Sequence, residues 1–321
     1  MNTPTKPGIY YGVPFSEYQQ WPFVNGSLLA TLRDRTPCHA EYERTHPKEP
    51  TPALEFGTQF HIALLEPAEY ARQYRALPAD APRRPSDRQR NAANPSAATI
   101  AAIEWWDAWQ AADYREITAE NAEKIEAMRA AVLATQAKQY ITGGRAEISL
   151  VWDDPVTGLR CKGRVDYGQE QPWQDNITDM KTCEDAGAEK FRKSVFFYGY
   201  HFKAAWYVDA WKIITGSEPL FYWLAVEKQP PFCCKTWQAD DKALEAGRMA
   251  YRRLLDRWAE CVKRGEYPAY GDNVELLGLE RWMLEREGVG AYNLTPQPIE
   301  DESLGGVEGF VAAYGLEVDD V

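Results

Sequence analysis

The 321-residue chain predicts an α/β fold: a small mixed β-sheet flanked by helices, with a helical N-terminal part. Three observations lead there. Helical spacing of apolar residues runs through most of residues 1–140. A period-two alternation begins at Glu147 and returns over residues 160–182 and 220–238. Helical stretches lie between and after these strand-like runs, and an apolar fraction of 45% with twelve Trp, eighteen Tyr and eleven Phe is enough to fill a core.

Taken in order, residues 1–50 are punctuated by proline, with a short helix from Ser27 to Glu43 that Ser27 is placed to cap and in which Leu28, Leu29 and Leu32 recur at helical spacing. Leu54 to Tyr74 reads as a second helix, with Phe56, Phe60, Leu64 and Leu65 around His61. Residues 76–96 are rich in Pro, Arg, Asn and Ser and read as a long loop, mobile or functional. Ala97 to Ala112 and Ala119 to Tyr140 are Ala-rich helices. The second carries the stripe Ile125, Met128 and Val132 and stops at Gly143-Gly144. Glu147 to Trp152 is a strand, Asp153 to Gly158 a turn, and Arg160 to Tyr167 the returning arm of a hairpin. Asn176 to Thr182 makes a third strand. A helical stretch from Ala188 to Ile214 is broken near Gly199, strands Leu220 to Glu227 and Phe232 to Gln238 surround Pro230-Pro231, and Asp240 to Arg264 is a helix. The expected organisation is one domain over residues 1–299, with a mainly helical part at 1–140 and a core at 145–265, followed by an acidic tail at 300–321.

The net charge of −12 sits poorly with a polyanionic partner, but it is partly local. Residues 300–321 hold seven acids and no Lys or Arg, and without them the balance is −5. Arg83, Arg84, Arg88 and Arg90 form a basic cluster that reads as a solvated loop or as a DNA contact. No apolar run reaches the roughly 18 residues of a membrane span, and Met1 to Tyr11 lacks the apolar stretch of a signal peptide, so a cytoplasmic protein of a bacterial host cell is expected, with no membrane partner. The six cysteines contain no C-x-x-C pair and read as reduced, mostly buried thiols.

The chemistry concentrates in a few residues. In Ile177-Thr178-Asp179-Met180-Lys181, strand alternation sends Asp179 and Lys181 to one face. Asp166 lies 13 residues upstream in Gly163-Arg164-Val165-Asp166-Tyr167. Two carboxylates beside an amine suit a Mg²⁺ site next to a group that orients an attacking water, the equipment of metal-assisted phosphodiester hydrolysis. Each residue also has a plainer reading. Asp179 and Lys181 would be a surface ion pair, His61 a hydrogen-bonded core residue, and Glu147 a partner of Arg145 or Arg164. Arg164 would be a structural partner of the acids or a phosphate contact, and Trp105, Trp106 and Trp109 core or subunit interface.

The ordered set Ser27-Leu28-Leu29, Glu55 to Pro67 with Gly57-Thr58-Gln59-Phe60-His61, Glu147-Ile148-Ser149, Cys161 to Asp166, Asp179-Met180-Lys181-Thr182 and Tyr198 to Tyr207 resembles phage-type exodeoxyribonuclease VIII, the RecE nuclease domain, in the PD-(D/E)XK superfamily. The likeness runs from about residue 10 to 240. It implies a restriction-endonuclease-like core and a Mg²⁺-dependent enzyme, with Mn²⁺ as a substitute. The implied activity is 5′→3′ degradation of double-stranded DNA from its ends, by a toroidal trimer or tetramer working with a single-strand annealing protein in recombination. It implies His61, Asp166, Asp179 and the Met180 carbonyl as the metal site, Lys181 as the catalytic amine, and Glu147 as a further acid. Ser27 and Arg33 are the candidates for a terminal 5′-phosphate. Some nucleases of this type carry a four-cysteine iron–sulfur cluster. Where the family has Gln-x-x-x-Tyr, this chain has Lys203-Ala204-Ala205-Trp206-Tyr207; Lys keeps a donor but loses the amide acceptor, so the position suits holding a phosphate or marks weakened activity. The rival readings are a non-catalytic DNA-end-binding scaffold and an endonuclease or single-strand nuclease on the same fold.

Overall fold

The alternating runs pair into a six-stranded mixed sheet in a computed structural model that describes residues 3–46, 49, 51–112, 114–170 and 174–288. The chain divides into two compact units, Met1–Tyr270 and Gly271–Val321. The acidic tail at 300–321 lies outside the described residues.

In the first unit, β1 (Gly8–Tyr10) leads through α1 (Phe15–Gln20), α2 (Gly26–Asp34) and α3 (Pro37–Thr45) to α4 (Pro52–Leu65) and α5 (Pro67–Gln73). A small parallel pair, β2 (Tyr74–Ala76) with β3 (Arg115–Ile117), brackets α6 (Asp87–Arg90) and α7 (Ala97–Ala111). Then come α8 (Ala119–Leu133) and a 3₁₀ turn at Gln136–Ile141. The strands β4 (Arg145–Asp153), β5 (Arg160–Gln169) and β6 (Asn176–Cys183) follow, then α9 (Ala188–Phe197), α10 (Tyr200–Thr215), β7 (Leu220–Glu227), β8 (Cys234–Gln238) and α11 (Asp241–Arg264). The sheet order is β1-β4-β5-β6-β7-β8, antiparallel except for the β6–β7 pair, which the α9–α10 crossover joins in parallel. The second unit holds α12 (Arg281–Arg286).

Alternation along β6 and β7 sorts their side chains onto two buried layers. On one face Ile177, Trp223 and Ala225 pack with Leu29 and Leu32 of α2, Phe202, Trp206 and Trp211 of α10, and Leu255 and Trp258 of α11. On the other, Met180, Leu224 and Val226 pack with Phe60 and Leu64 of α4 and with Ile125, Met128 and Val132 of α8. Each of these large side chains is nearly or fully buried, and burial of a Leu, Ile or Phe stabilises the fold by about 1.5–3 kcal/mol. A strand covered on both faces holds its polar residues rigidly, and β6 carries Asp179 and Lys181.

Several boundaries move for local reasons. The helix expected from Ser27 to Glu43 is two helices, because Pro37 opens α3 after Thr36. Ser27 is not its cap: it sits exposed inside α2, and the Asn25 side chain accepts from the Leu28 N–H at 2.8 Å. The helix expected from Leu54 to Tyr74 divides at Glu66-Pro67 into α4 and α5. The 76–96 loop contains the single turn α6, held by a Ser86–Gln89 capping box. Two of its arginines are tied down: the Arg84 guanidinium lies 4.5 Å from the Trp106 ring centroid, and Arg90 pairs with Asp107 at 2.7 Å. Trp106 is core, with its indole N–H donated to the Pro82 carbonyl at 2.9 Å. Among the described residues no helix is long and apolar enough to cross a membrane. The six cysteines are free thiols, of which Cys161 and Cys261 are buried.

Candidate active site

The site begins where two strands part. β5 and β6 pair only at Tyr167–Thr178, Gly168–Ile177 and Gln169–Asn176. The next rung would set Asp166 opposite Asp179, and there the ladder stops. The main chain of β6 turns its Met180 N–H onto the Asp166 carboxylate at 2.7 Å. This splay brings the charges of two carboxylates on neighbouring strands near each other, with the Lys181 amine reaching both the Asp179 carboxylate and the Met180 carbonyl.

Helix α4 delivers His61 to this opening, while its neighbours Phe60, Ala63 and Leu64 anchor the helix in the core. The imidazole bridges two acids: Nε2 is 2.7 Å from Asp166 and Nδ1 is 3.2 Å from Glu147. Glu147 stands across the β4–β5 pair from Asp166 and has φ +54°, the left-handed region that a non-glycine residue rarely occupies. Such strain costs on the order of 1–3 kcal/mol and persists only where surroundings enforce it. Here Arg164 holds the Glu147 carboxylate at 2.5 Å and donates to the Val13 carbonyl at 2.8 Å, so this guanidinium is committed within the protein.

Lys181 pairs with the Asp179 carboxylate, donates to the Met180 carbonyl at 3.1 Å, and lies 5.1 Å from the centroid of the Tyr200 ring. Electrostatics follow from this packing. Burial disfavours a charged His61, but the Asp166 charge and hydrogen bonds to Asp166 and Glu147 outweigh it and raise the imidazole to about 10. Burial likewise disfavours the Asp166 carboxylate, yet His61, Lys181 and the Met180 N–H hold it down at about 2. Asp179 is raised, by burial first and by the Asp166 charge, against the pull of Lys181. Lys181 is raised because the two aspartates overcome its burial.

Helix α10 supplies Lys203 and Tyr207. Burial and the nearby Lys181 charge lower Lys203, whose side chain reaches within 3.8 Å of where a Cβ on Gly26 would sit. The Tyr207 ring crosses β5 at Gly163, where any Cβ would come to 3.1 Å from it, which accounts for glycine in the Gly-Arg-Val-Asp run. Ser27 is exposed on α2, and Arg33 lies near enough to Lys203 for its charge to help lower that amine. Arg33 pairs with Asp34 and donates to the Phe197 carbonyl at 3.1 Å, at the junction of α9 and α10.

Sequence reasoning missed three contributors. Tyr200 covers Lys181. Glu66, raised by burial and by Glu147, lies beside the acids; its only signal was its place after the His61 segment. Lys162, 2% exposed, donates to the carbonyls of Tyr18, Gln19 and Trp21 at 2.8, 3.1 and 2.7 Å, and so fastens α1 to β5.

The donor chemistry fits a hard divalent cation: two carboxylates and a main-chain carbonyl, all oxygen. As folded, the carboxylates are taken up by His61 and Lys181, and among the described residues no three His, Cys, Asp or Glu side chains are grouped as a ready-made metal cluster. A cation would replace charge that imidazolium and ammonium now provide.

Residues 29–280 match the model of a family described as a PDDEXK-like domain of unknown function (DUF3799). A solved structure from Eubacterium rectale, described as a "Putative exonuclease", superposes with a TM-score of 0.56 over 86% of this chain and 98% of that one, at 13% identity. A second, described as SSO0001, aligns over 49% of this chain and 65% of the other with a TM-score of 0.25 and 9% identity, too distant to carry an argument. No curated protein matches the sequence significantly.

Proposed function

The chain belongs to this PDDEXK-like family, and from that premise we propose that it binds DNA at the parted β5–β6 edge and hydrolyses phosphodiester bonds there with weakened, divalent-metal-dependent activity. The observation that supports this reading is the meeting of Asp166, Asp179, the Met180 carbonyl and Lys181 at one splay. Two further features favour a weakened site over a dedicated exonuclease. Both aspartates and Glu147 are already paired with cations of the protein, and Lys203 adds a positive charge near the aspartates where related nucleases carry a neutral Gln.

The residues divide the work. Asp166, Asp179 and the Met180 carbonyl would hold Mg²⁺, or Mn²⁺ in its place. The metal, when bound, supplies Lewis-acid activation of the phosphate and a lowered pKa for water. Lys181, released from Asp179, orients the attacking water and offsets charge building on the phosphate oxygens. His61 keeps Asp166 ionised and in place, Glu147 orients the imidazole, and Arg164 fixes Glu147. Lys203 and Tyr207 face the strand to be cut.

The finer reading is 5′→3′ degradation of duplex DNA from its ends, in RecE-type fashion, by a ring of three or four subunits beside a single-strand annealing protein. It rests on the likeness of the ordered motifs around His61, Asp166, Asp179 and Lys181 to RecE-type nucleases, which alone implies the polarity, the ring and the annealing partner. Release of acid-soluble nucleotide from linear duplex, from a covalently closed circle and from single strands, with Mg²⁺ and with EDTA, separates the readings. Slow Mg²⁺-dependent release supports the weakened nuclease. Fast release from the linear duplex alone supports the exonuclease, and DNA retention with no release marks a binding scaffold. No retention and no release would refute all three.

A further inference from the structure

Three consecutive aromatic residues at the end of α9 have no place in either core layer: Phe196, Phe197 and Tyr198 are 68%, 70% and 63% exposed. Their rings nonetheless pack against neighbouring rings. Phe196 lies parallel to His201, 11° between planes and 5.9 Å between centroids, and meets Phe197 edge-on at 5.8 Å. Tyr198 stacks on Tyr200 at 5.6 Å, and Tyr200 covers the Lys181 amine at 5.1 Å. Tyr198 is therefore joined through Tyr200 to the candidate active site, and Phe196 and Phe197, the residues just before it in the chain, form a second ring group with His201. Gly199 makes the corner, with φ +66° and the Arg33 guanidinium so near that a Cβ would collide with it.

The surrounding charge is basic. Helical spacing puts Arg192 beside Phe196 and Lys193 beside Phe197. Arg192 makes no ion pair among the described residues, and the Lys193 pair with Glu189 is an exposed one of little weight. Exposed rings alternating with cations form the surface that holds single-stranded nucleic acid, in which bases stack on aromatic faces and phosphates meet Lys and Arg. A subunit contact would bury the same rings, but it would not call for cations at the neighbouring positions.

We propose that Phe196, Phe197 and Tyr198, with Arg192 and Lys193, form a stacking platform for the unpaired bases of a single strand that passes Tyr200 to reach the cleavage site. This rests on the nuclease reading above and adds to it a path for the strand. Binding of fluorescein-labelled oligo(dT) and of a blunt hairpin duplex, both in EDTA, tests it by anisotropy for the wild type, the Phe196→Ala/Phe197→Ala double variant and Phe197→Tyr, with sedimentation velocity run on the same samples. The double variant is expected to lose about tenfold or more in affinity for oligo(dT), much less for the duplex, and Phe197→Tyr to retain it. An unchanged oligo(dT) affinity in a double variant of a protein that still cleaves DNA overturns the platform and leaves the nuclease reading intact. A lower sedimentation coefficient in the double variant overturns it in favour of a subunit contact. A wild type that neither binds nor cuts DNA removes the nuclease reading and the platform together.

Discussion

Lys162 and Lys181 lie on adjacent strands, both are drawn out of water, and they serve opposite purposes. On β5, Lys162 gives each of its three protons to a main-chain carbonyl of the α1 segment. On β6, Lys181 leans on the Asp179 carboxylate, a partner that is itself a side chain and that a metal ion can claim. Two arginines, each paired with a carboxylate, differ instead in what that carboxylate does. Arg252 grips the buried Asp154 of the β4–β5 turn at 2.7 and 3.0 Å and is structural. Arg164 positions Glu147, which positions His61. An ammonium satisfied by backbone fixes geometry; one satisfied by a replaceable carboxylate is held ready for chemistry.

Replacing the two lysines tests this contrast most sharply. Lys181→Ala should reduce Mg²⁺-dependent nucleotide release by about 10²–10³ while leaving DNA retention and the urea midpoint close to wild type. A large drop in the midpoint would show that Lys181 is structural after all. Lys162→Met should do the reverse. The buried Trp21 carbonyl and two part-buried ones lose their donor, and at about 1–3 kcal/mol for an unsatisfied buried group the unfolding free energy should fall by about that amount in urea titration. Methionine fits the volume, so an unchanged midpoint would mean that α1 contributes little to stability.

The His61–Asp166 pair sharpens the comparison through pH. With His61 raised to about 10, its contribution is complete below the unfolded imidazole value near 6.5 and is lost as pH rises from there through 10. With Asp166 at about 2, the carboxylate contribution is complete above about 4 and is lost as pH falls towards 2. The urea midpoint should therefore be highest between about pH 4 and 6.5 and decline on the alkaline side, and His61→Asn should abolish that decline. Because the imidazolium competes for the carboxylates, Mg²⁺ should raise the midpoint more at pH 9 than at pH 7. The smallest effect belongs to Lys203→Gln, which removes a partly screened charge worth about 1–2 kcal/mol and should raise Mg²⁺-dependent release roughly 5- to 30-fold. A further loss of activity would instead make Lys203 a phosphate contact.

Much of the site was legible because strand alternation is a strong local rule. Asp179-Met180-Lys181 needed only the period of two, and the buried runs at Leu220 to Glu227 and in α10 announced their strand and helix by composition. Strands β1, β2 and β3 are three residues each, too short for any periodicity. Ser27 passed for a cap because its residue type suits one, whereas Asn25, two residues earlier, has the extended backbone that capping requires. Lys162 looked like an ordinary polar position in a hairpin arm; its partners lie more than 140 residues away.

The sequence by itself determined the α/β class and the strands β4 to β8, which follow from local periodicity, and it singled out His61, Asp166, Asp179 and Lys181 as candidates from strand alternation and from the order of motifs along the chain. The tertiary structure alone decided that β5 and β6 part at Asp166 and Asp179, that Glu147 is held in a left-handed conformation across from Asp166, and that the acids rest in ion pairs. It also decided that three consecutive aromatic rings at the end of α9 stand in the open, the last of them stacked on the Tyr200 that covers Lys181. These depend on which distant segments come to share one buried space, where the low dielectric makes a charge seek a partner, and no local pattern records that choice.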